Sequence, residues 1–187
     1  LFKEYNIIAI AQDFKVRFKE IPNITGAHHL AGRMGAEYLI QRGFKNFGFY
    51  GFKDIVWSQE RSEGFKSELA RQGMINNYYE YQNIDFKDLW SYESDILIEW
   101  LKDIPKPIAL MACDDNQGHH ITELCKQYDI RVPEEISILG VDNDETICTL
   151  SAPPLSSINQ AVEKGGYEAA ALIDRLKNDP DAQIEDI

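Results

Sequence analysis

The chain has 187 residues, a hydrophobic fraction of 44% and a formal net charge of −12 at pH 7. This length and composition suit a globular protein of one or two compact units, and no apolar run approaches the roughly 20 residues of a membrane span. A phosphate backbone requires a high density of Lys and Arg, so any binding to DNA would need another segment.

The first half of the chain alternates apolar runs with helical patterns. Short apolar runs predict strands at residues 7–11, 47–50 and 78–81. Apolar residues three or four positions apart predict helices at residues 28–42, 59–71 and 94–101. The side chains predicted to face inward are Leu30, Met34, Tyr38, Leu39, Phe65, Leu69, Ile96, Leu97 and Trp100.

The second half continues the alternation. Strands are predicted at residues 108–112, 136–141 and 155–158, with a helix after the first and another at residues 160–177. The last helix is predicted to bury one stripe, formed by Val162, Gly165, Ala169, Leu172, Ile173 and Leu176. Strands that alternate with helices pair in parallel, so we predict an α/β fold of parallel sheets flanked by helices.

Polar residues follow three of these strands. Asp114 and Asp115 come directly after residues 108–112, Asp142 ends the next strand, and Arg61 follows the strand at 47–50. Parallel sheets bind ligands beyond the carboxyl ends of their strands, so these side chains are candidates for one site. Each also has a simpler interpretation, since Asp commonly caps helices and most Arg side chains form surface ion pairs.

The residue types suit a polyol. A carboxylate accepts hydrogen bonds from adjacent hydroxyls, and a guanidinium donates in a fixed fork. Trp57 and Trp90 follow strands and would cover the apolar face of a sugar ring, although large aromatic side chains more often pack in cores.

No catalytic residue, metal or cofactor is predicted. The chain has no GxGxxG, GxxxxGK[ST] or GxSxG motif. The pairs His28–His29 and His119–His120 are adjacent, whereas helical metal ligands are usually three or four residues apart. One alternative is an α/β enzyme that uses Asp114 and Asp115 with a metal.

Several motifs together resemble a known family. They are Ala112-Cys113-Asp114-Asp115, Val132-Pro133 followed by Ile136 to Asn143, Pro153 to Ile158, and Gln160. This set resembles the effector-binding domain of LacI/GalR-type repressors over about residues 7–178. With Arg61 to Phe65 upstream and Gly165-Gly166-Tyr167 downstream, it is most similar to the xylose-operon regulator branch, where such a domain is joined to an AraC-type DNA-binding domain.

The resemblance implies a periplasmic-binding-protein-like type I fold, whose two lobes close on a small ligand. It implies that Arg61, Asp114 and Asp142 contact the effector, that Trp90 stacks on it and that Gln160 lies at the hinge. The family's acidic residue after the first strand is replaced by Ala11, which makes Gln12 and Asp13 the candidates there.

The resemblance also implies a domain division. Residues 1–51 and 158–178 would form a partial first lobe, residues 52–157 the second lobe, and residues 179–187 a tail. About half a lobe would precede Leu1, and its absence would expose a sheet edge, so we expect a homodimer or a domain-swapped oligomer.

The predicted function is ligand sensing in a bacterial transcription regulator. The domain would bind a small sugar, such as the pentose xylose, and would act on DNA only through a separate domain. The three cysteines have no CxxC spacing and indicate reduced thiols and a cytoplasmic protein. The alternative is an extracytoplasmic sugar-binding receptor of a transport system.

Overall fold

A computed structural model describes residues 5, 7–12, 18–84, 94–179 and 187, without the side chains of residues 82–84 and 94–95. The strands are β1 Ala11–Gln12, β2 Asn23–Ile24, β3 Phe47–Phe52, β4 Tyr78–Ile84, β5 Ile108–Ala112, β6 Ile136–Asp142 and β7 Ser156–Asn159. The helices are α1 His28–Gln41, α2 Val56–Arg71, α3 Ser94–Asp103, α4 Asp115–Gln127, α5 Glu145–Leu150 and α6 Val162–Asn178, with a 3₁₀ turn at Ile75–Asn77.

The chain divides into two compact units. The larger unit is His28–Gln160, and the smaller combines Leu1–Ala27 with Ala161–Ile187. In the smaller unit β1 pairs in parallel with β2, and α6 follows later in the chain. The strand predicted at residues 7–11 is therefore reduced to β1, and residues 7–10 have no regular structure.

The larger unit is a parallel sheet with helices on both faces. Its strand order is β4-β3-β5-β6-β7, and every neighbouring pair is parallel. All positions of β3 and β5 are buried, as expected for central strands covered on both sides. Side chains of β5 alternate between the two cores: Ala109 and Met111 pack with α1 and α2, and Leu110 packs with α3 and α4. The predicted α/β fold is confirmed.

The buried face of α1 differs from the prediction. Leu30 and Met34 are 41% and 47% exposed, whereas the helix buries mainly small residues. The reason is a close crossing with α2: a Cβ on Gly32 would overlap the carbonyl oxygen of Arg61, and a Cβ on Gly64 would overlap that of His29. Backbones approach this closely only where side chains are absent, so small residues take the place expected for large apolar ones.

Two predicted inward stripes are also only partly correct. In α6, Leu172 and Leu176 are buried, but Val162 and Ile173 are exposed. In α3, Leu97 is buried and Ile96 is half exposed. By contrast, Phe65 and Leu69 of α2 are fully buried, as their spacing predicts.

The unit boundary differs from the predicted division at residue 51. Strand β3 hydrogen-bonds to both β4 and β5, and α1 packs closely against α2. Residues 28–51 therefore belong to the larger unit, because its sheet and one of its cores are built from them. The correspondence of each unit to a lobe of the two-lobed fold stays a prediction.

Candidate functional site

A polar cluster lies at the carboxyl edge of the sheet in the larger unit. Asp114 ends the short connection from β5 to α4, and Asp142 is the last residue of β6. Helix α2, which follows β3, supplies Arg61. Parallel strands end at the same edge, so residues distant in sequence meet there. The structure thus brings together Arg61, Asp114 and Asp142, as predicted.

Arg61 is the centre of this cluster, with a side chain only 4% exposed. One terminal nitrogen, Nη2, donates to Asp142 Oδ1 over 2.9 Å. The other, Nη1, donates to the carbonyl oxygen of Cys113. The guanidinium carbon lies 4.9 Å from the centre of the Trp57 ring. Within the described part of the chain, the buried Nε has no acceptor.

Asp142 is held in an unusual backbone conformation. Its φ is 105° and that of Asn143 is 57°, both in the left-handed region that side chains other than glycine rarely adopt. Burial raises the pKa of Asp142, and the Arg61 guanidinium opposes that rise. The Asp142 side chain is 46% exposed, so a ligand at this edge can reach it.

Asp114 both caps a helix and belongs to the polar cluster, the two interpretations that the sequence left open. Its Oδ1 accepts from the backbone N–H of Gln117 over 2.7 Å, so it caps α4. Burial is the main reason that its pKa rises to about 6. The negative charges of Asp142 and Asp115 contribute to the rise, whereas the hydrogen bond from Gln117 and the charge of Arg61 lower the pKa. A helix cap therefore coexists with a carboxylate in the polar cluster.

The raised pKa of Asp114 has a consequence for stability. An acid whose pKa rises on folding destabilises the folded state above that pKa, and the penalty declines as the pH falls toward the ordinary value. Asn caps helices as well as Asp does. We therefore expect Asp114→Asn to raise the free energy of unfolding by about 1–2 kcal/mol near neutral pH.

Urea unfolding at about pH 7.5 and about pH 4.5 measures this effect. The gain from Asp114→Asn should be well under half as large at the lower pH. Asp144→Asn is the matched control, because Asp144 caps α5 with an exposed carboxylate. A gain that is equal at both pH values would show that the buried charge of Asp114 carries no penalty.

The sequence suggested a role for Asp115 only together with Asp114, as a neighbouring site residue or as half of a metal-binding pair. Its side chain is 1% exposed, and its carboxylate accepts from Ser157 Oγ over 2.5 Å and from the backbone N–H of Asp144 over 2.7 Å. Asp115 is the first residue of α4, and its side chain is buried in the protein. A pair of aspartates after a buried strand was the only available signal.

The remaining predicted residues are Gln12, Asp13, Trp90, Gln160 and Trp57. Gln12 is exposed in the smaller unit, and Asp13 and Trp90 lie outside the described residues. Gln160 follows β7, is half-buried, and carries a buried Nε2 with no partner in the described ranges. Trp57, besides its contact with Arg61, packs edge-on against Phe52 at 5.8 Å between ring centres.

Two further features of the described residues are the grouping of possible metal ligands and the apolar character of the helices. No group of three or more His, Cys, Asp or Glu side chains could hold a metal ion among them. His119 Nδ1 instead lies 3.0 Å from Ser151 Oγ. No helix in the described ranges has the length and apolar character to cross a membrane.

A separate groove lies toward the amino ends of β6 and β7. It has a volume of about 270 Å³, and residues that line it include Tyr38, Phe44, Pro133, Pro153 and Pro154. None of the residues of the polar cluster lines it, so it is not the site predicted from the sequence.

Comparison with known sequences gives related proteins. Residues 36–187 match a family model described as a periplasmic binding protein-like domain. The chain is 31% identical over 176 residues to the xylose operon regulatory protein of Haemophilus influenzae, covering 91% of this chain and 45% of that protein. It is 30% identical over 166 residues to the transcriptional regulator CelR of Thermobifida fusca, covering 87% and 46%. The chain thus spans about half the length of these relatives.

Solved structures show the same fold. A structure of the xylose-binding transcription activator XylR superposes with a TM-score of 0.84 at 24% identity, covering 100% of this chain and 50% of that one. A ribose-bound LacI family regulator from Enterococcus faecium gives a TM-score of 0.83 at 20% identity, covering 99% and 68%. These structures confirm the periplasmic-binding-protein-like type I fold. Together with the sequence matches, they confirm the resemblance to LacI/GalR-type effector-binding domains.

Proposed function

Because this chain belongs to the periplasmic binding protein-like domain family, we propose that it senses a small sugar for a bacterial transcription regulator. The observation that carries the proposal is the contact of Arg61 with Asp142, beside Asp114, at the carboxyl edge of the sheet. The sugar-related names of its relatives support the same function.

The cluster has unused hydrogen-bonding capacity of the kind a sugar requires. Arg61 bonds to Oδ1 of Asp142, and no residue in the described part of the chain donates to Oδ2. The N–H of Gln117 likewise uses only Oδ1 of Asp114. Adjacent hydroxyls of a sugar can donate to these two carboxylate oxygens. A polyol therefore complements the carboxylates of the cluster.

Finer features of the function rest on the resemblance. We propose that the sugar is a pentose such as D-xylose, which agrees with the names of two relatives. Gln12, Asp13 and Trp90 would provide further contacts, and Gln160 would act at a hinge. DNA binding by a separate AraC-type domain, self-association into a dimer and a cytoplasmic location likewise stay predictions.

The charge of the cluster predicts selectivity among sugars. The cluster has one guanidinium and the carboxylates of Asp114 and Asp142, and the charge of Asp115 acts on both of these acids. The cluster therefore has net negative charge when the three carboxylates are ionised. A phosphate would bring two further negative charges close to them, and like charges in contact oppose binding. We therefore expect a neutral monosaccharide to bind at least about tenfold more tightly than its phosphate ester.

Isothermal titration calorimetry on the full-length natural protein tests this function. The probes are D-xylose, D-ribose, cellobiose and D-ribose 5-phosphate, with Mg²⁺ alone as a control for the metal-enzyme alternative. Binding of a neutral sugar, lost in Arg61→Met, is the expected result. Binding of none of the sugars, or a response to Mg²⁺ alone, would contradict the proposed function.

A further inference from the structure

We propose that Asp115 is a positioning residue that fixes the segment after β6 and thereby directs Asp142 toward Arg61. Asp115 is 1% exposed, so it is too deeply buried to offer its carboxylate to a ligand at the open edge. Its contacts instead lead to the backbone next to Asp142. The consequence for sugar binding rests on the proposed function, whereas the consequence for the Arg61–Asp142 contact does not.

The backbone after β6 requires external support. Asp142 and Asn143 are consecutive residues with positive φ, a conformation that persists only where the surrounding structure enforces it. The two residues that follow Asp142 each donate a backbone N–H to this network. Asn143 donates to Ser157 Oγ over 3.0 Å, and Asp144 donates to Asp115 Oδ2 over 2.7 Å.

Ser157 and Asp115 act as one connected group. The Ser157 hydroxyl donates to Asp115 Oδ1 over 2.5 Å while it accepts from Asn143. The thiol of Cys148 lies 3.5 Å from Asp115 Oδ2. One buried carboxylate thus receives donors from the segment after β6, from α5 and from β7. Such an arrangement fixes their relative positions, because leaving these donors unpaired in the interior would be unfavourable.

The strand itself is shaped around this carboxylate. A Cβ at Gly140 would overlap Asp115 Oδ1, so the glycine provides the space that Asp115 occupies beside β6. Asp142 lies two residues further along the strand, and its carboxylate reaches Arg61 over 2.9 Å. Asp115 therefore packs against β6 just before Asp142 and holds the backbone just after it.

Crystal structures of variants of the full-length natural protein test the proposal. In Asp115→Ala, we expect the Arg61 Nη2 to Asp142 Oδ1 distance to exceed about 4 Å, the usual limit of an ion pair. Asp115→Asn should retain the contact, because its rotated amide can accept from Asp144 N–H and donate to Ser157 Oγ. Ser157→Ala provides a milder test if Asp115→Ala fails to fold.

Calorimetry with D-xylose provides the second measurement. Displacing a binding group by about an ångström can cost up to about a hundredfold, so we expect D-xylose affinity to fall by about ten- to a hundredfold in Asp115→Ala. It should stay near the wild-type value in Asp115→Asn. Glu68→Ala is the matched control, since Glu68 is equally buried and bonds to Arg71 and Gln72. This control should lower Tm without altering the Arg61–Asp142 distance.

The two proposals fail separately. An unchanged Arg61–Asp142 distance in both Asp115→Ala and Ser157→Ala would overturn the positioning role, whatever the wild-type protein binds. A longer distance in a protein that binds no sugar would support the positioning role and contradict the proposed function.

Discussion

Asp142→Ala should abolish sugar binding and also destabilise the larger unit. Arg61, 4% exposed, would lose its carboxylate and keep only the carbonyl oxygen of Cys113 and the Trp57 ring among its described partners. Truncating one partner of a buried charge pair costs about 2–5 kcal/mol. Asp142 is itself half exposed, so we expect a loss near the lower end, about 2 kcal/mol.

Two measurements check this result. Calorimetry with D-xylose should show affinity reduced by about a hundredfold or more, and urea unfolding should show the lower stability. Asp103→Ala is the matched control, because it removes an exposed carboxylate at the end of α3. Sugar affinity equal to that of the wild-type protein would remove Asp142 from the site. DNA binding by the full-length protein should persist, since we attribute it to another domain.

Removing the other partner of the ion pair should have a different effect on stability. Arg61→Met retains most of the packing volume and leaves a carboxylate that water can reach, whereas Asp142→Ala leaves a buried cation. A buried unpaired charge is the more costly of the two. Both variants should therefore lose sugar binding, but Arg61→Met should be the more stable protein.

Gly32→Ala should have the second large effect, through the crossing of α1 and α2. The added methyl group would overlap the carbonyl oxygen of Arg61 and lie 2.8 Å from the backbone nitrogen of Phe65. Both atoms belong to the backbone, so the helices must separate. Overpacking of this kind costs about 1–3 kcal/mol, and we expect the upper part of that range.

Urea unfolding measures the loss, with Gly165→Ala as the control. Gly165 also lies within a helix, but a Cβ there meets no described atom within 4 Å. Alanine is the better helix former by about 1 kcal/mol, so the control should be neutral or more stable. If both variants had the same stability, the close crossing would have no energetic role. Because Gly32 contacts the backbone of Arg61, its variant should also weaken sugar binding.

The order and type of most elements in the larger unit followed from the sequence. Strands such as β5 are short apolar runs, and helices such as α2 repeat apolar residues with the helical period, as Phe65 and Leu69 show. These signals are local, because each depends on which side chains one element buries. Helix α5 is too short to show such a period, and the sequence did not indicate it.

The sequence also indicated which edge of the sheet carries the candidate site. Asp114 and Asp142 follow neighbouring parallel strands, and Arg61 follows a third, so their convergence at one edge depends only on topology. The sequence did not indicate which of the two aspartates forms a hydrogen bond with Arg61. Either aspartate could have met the arginine, and the observed hydrogen bond joins it to Asp142.

Only the tertiary structure decided how the elements fit together. The face that α1 buries depends on the close approach of α2 at Gly32, because contact between backbones excludes the large side chains that helical periodicity favours. The role of Asp115 depends on donors from Asp144 and Ser157, which are far away in the sequence. Local sequence patterns determine which helices and strands form, whereas the partner of each buried group depends on the geometry of the packed elements.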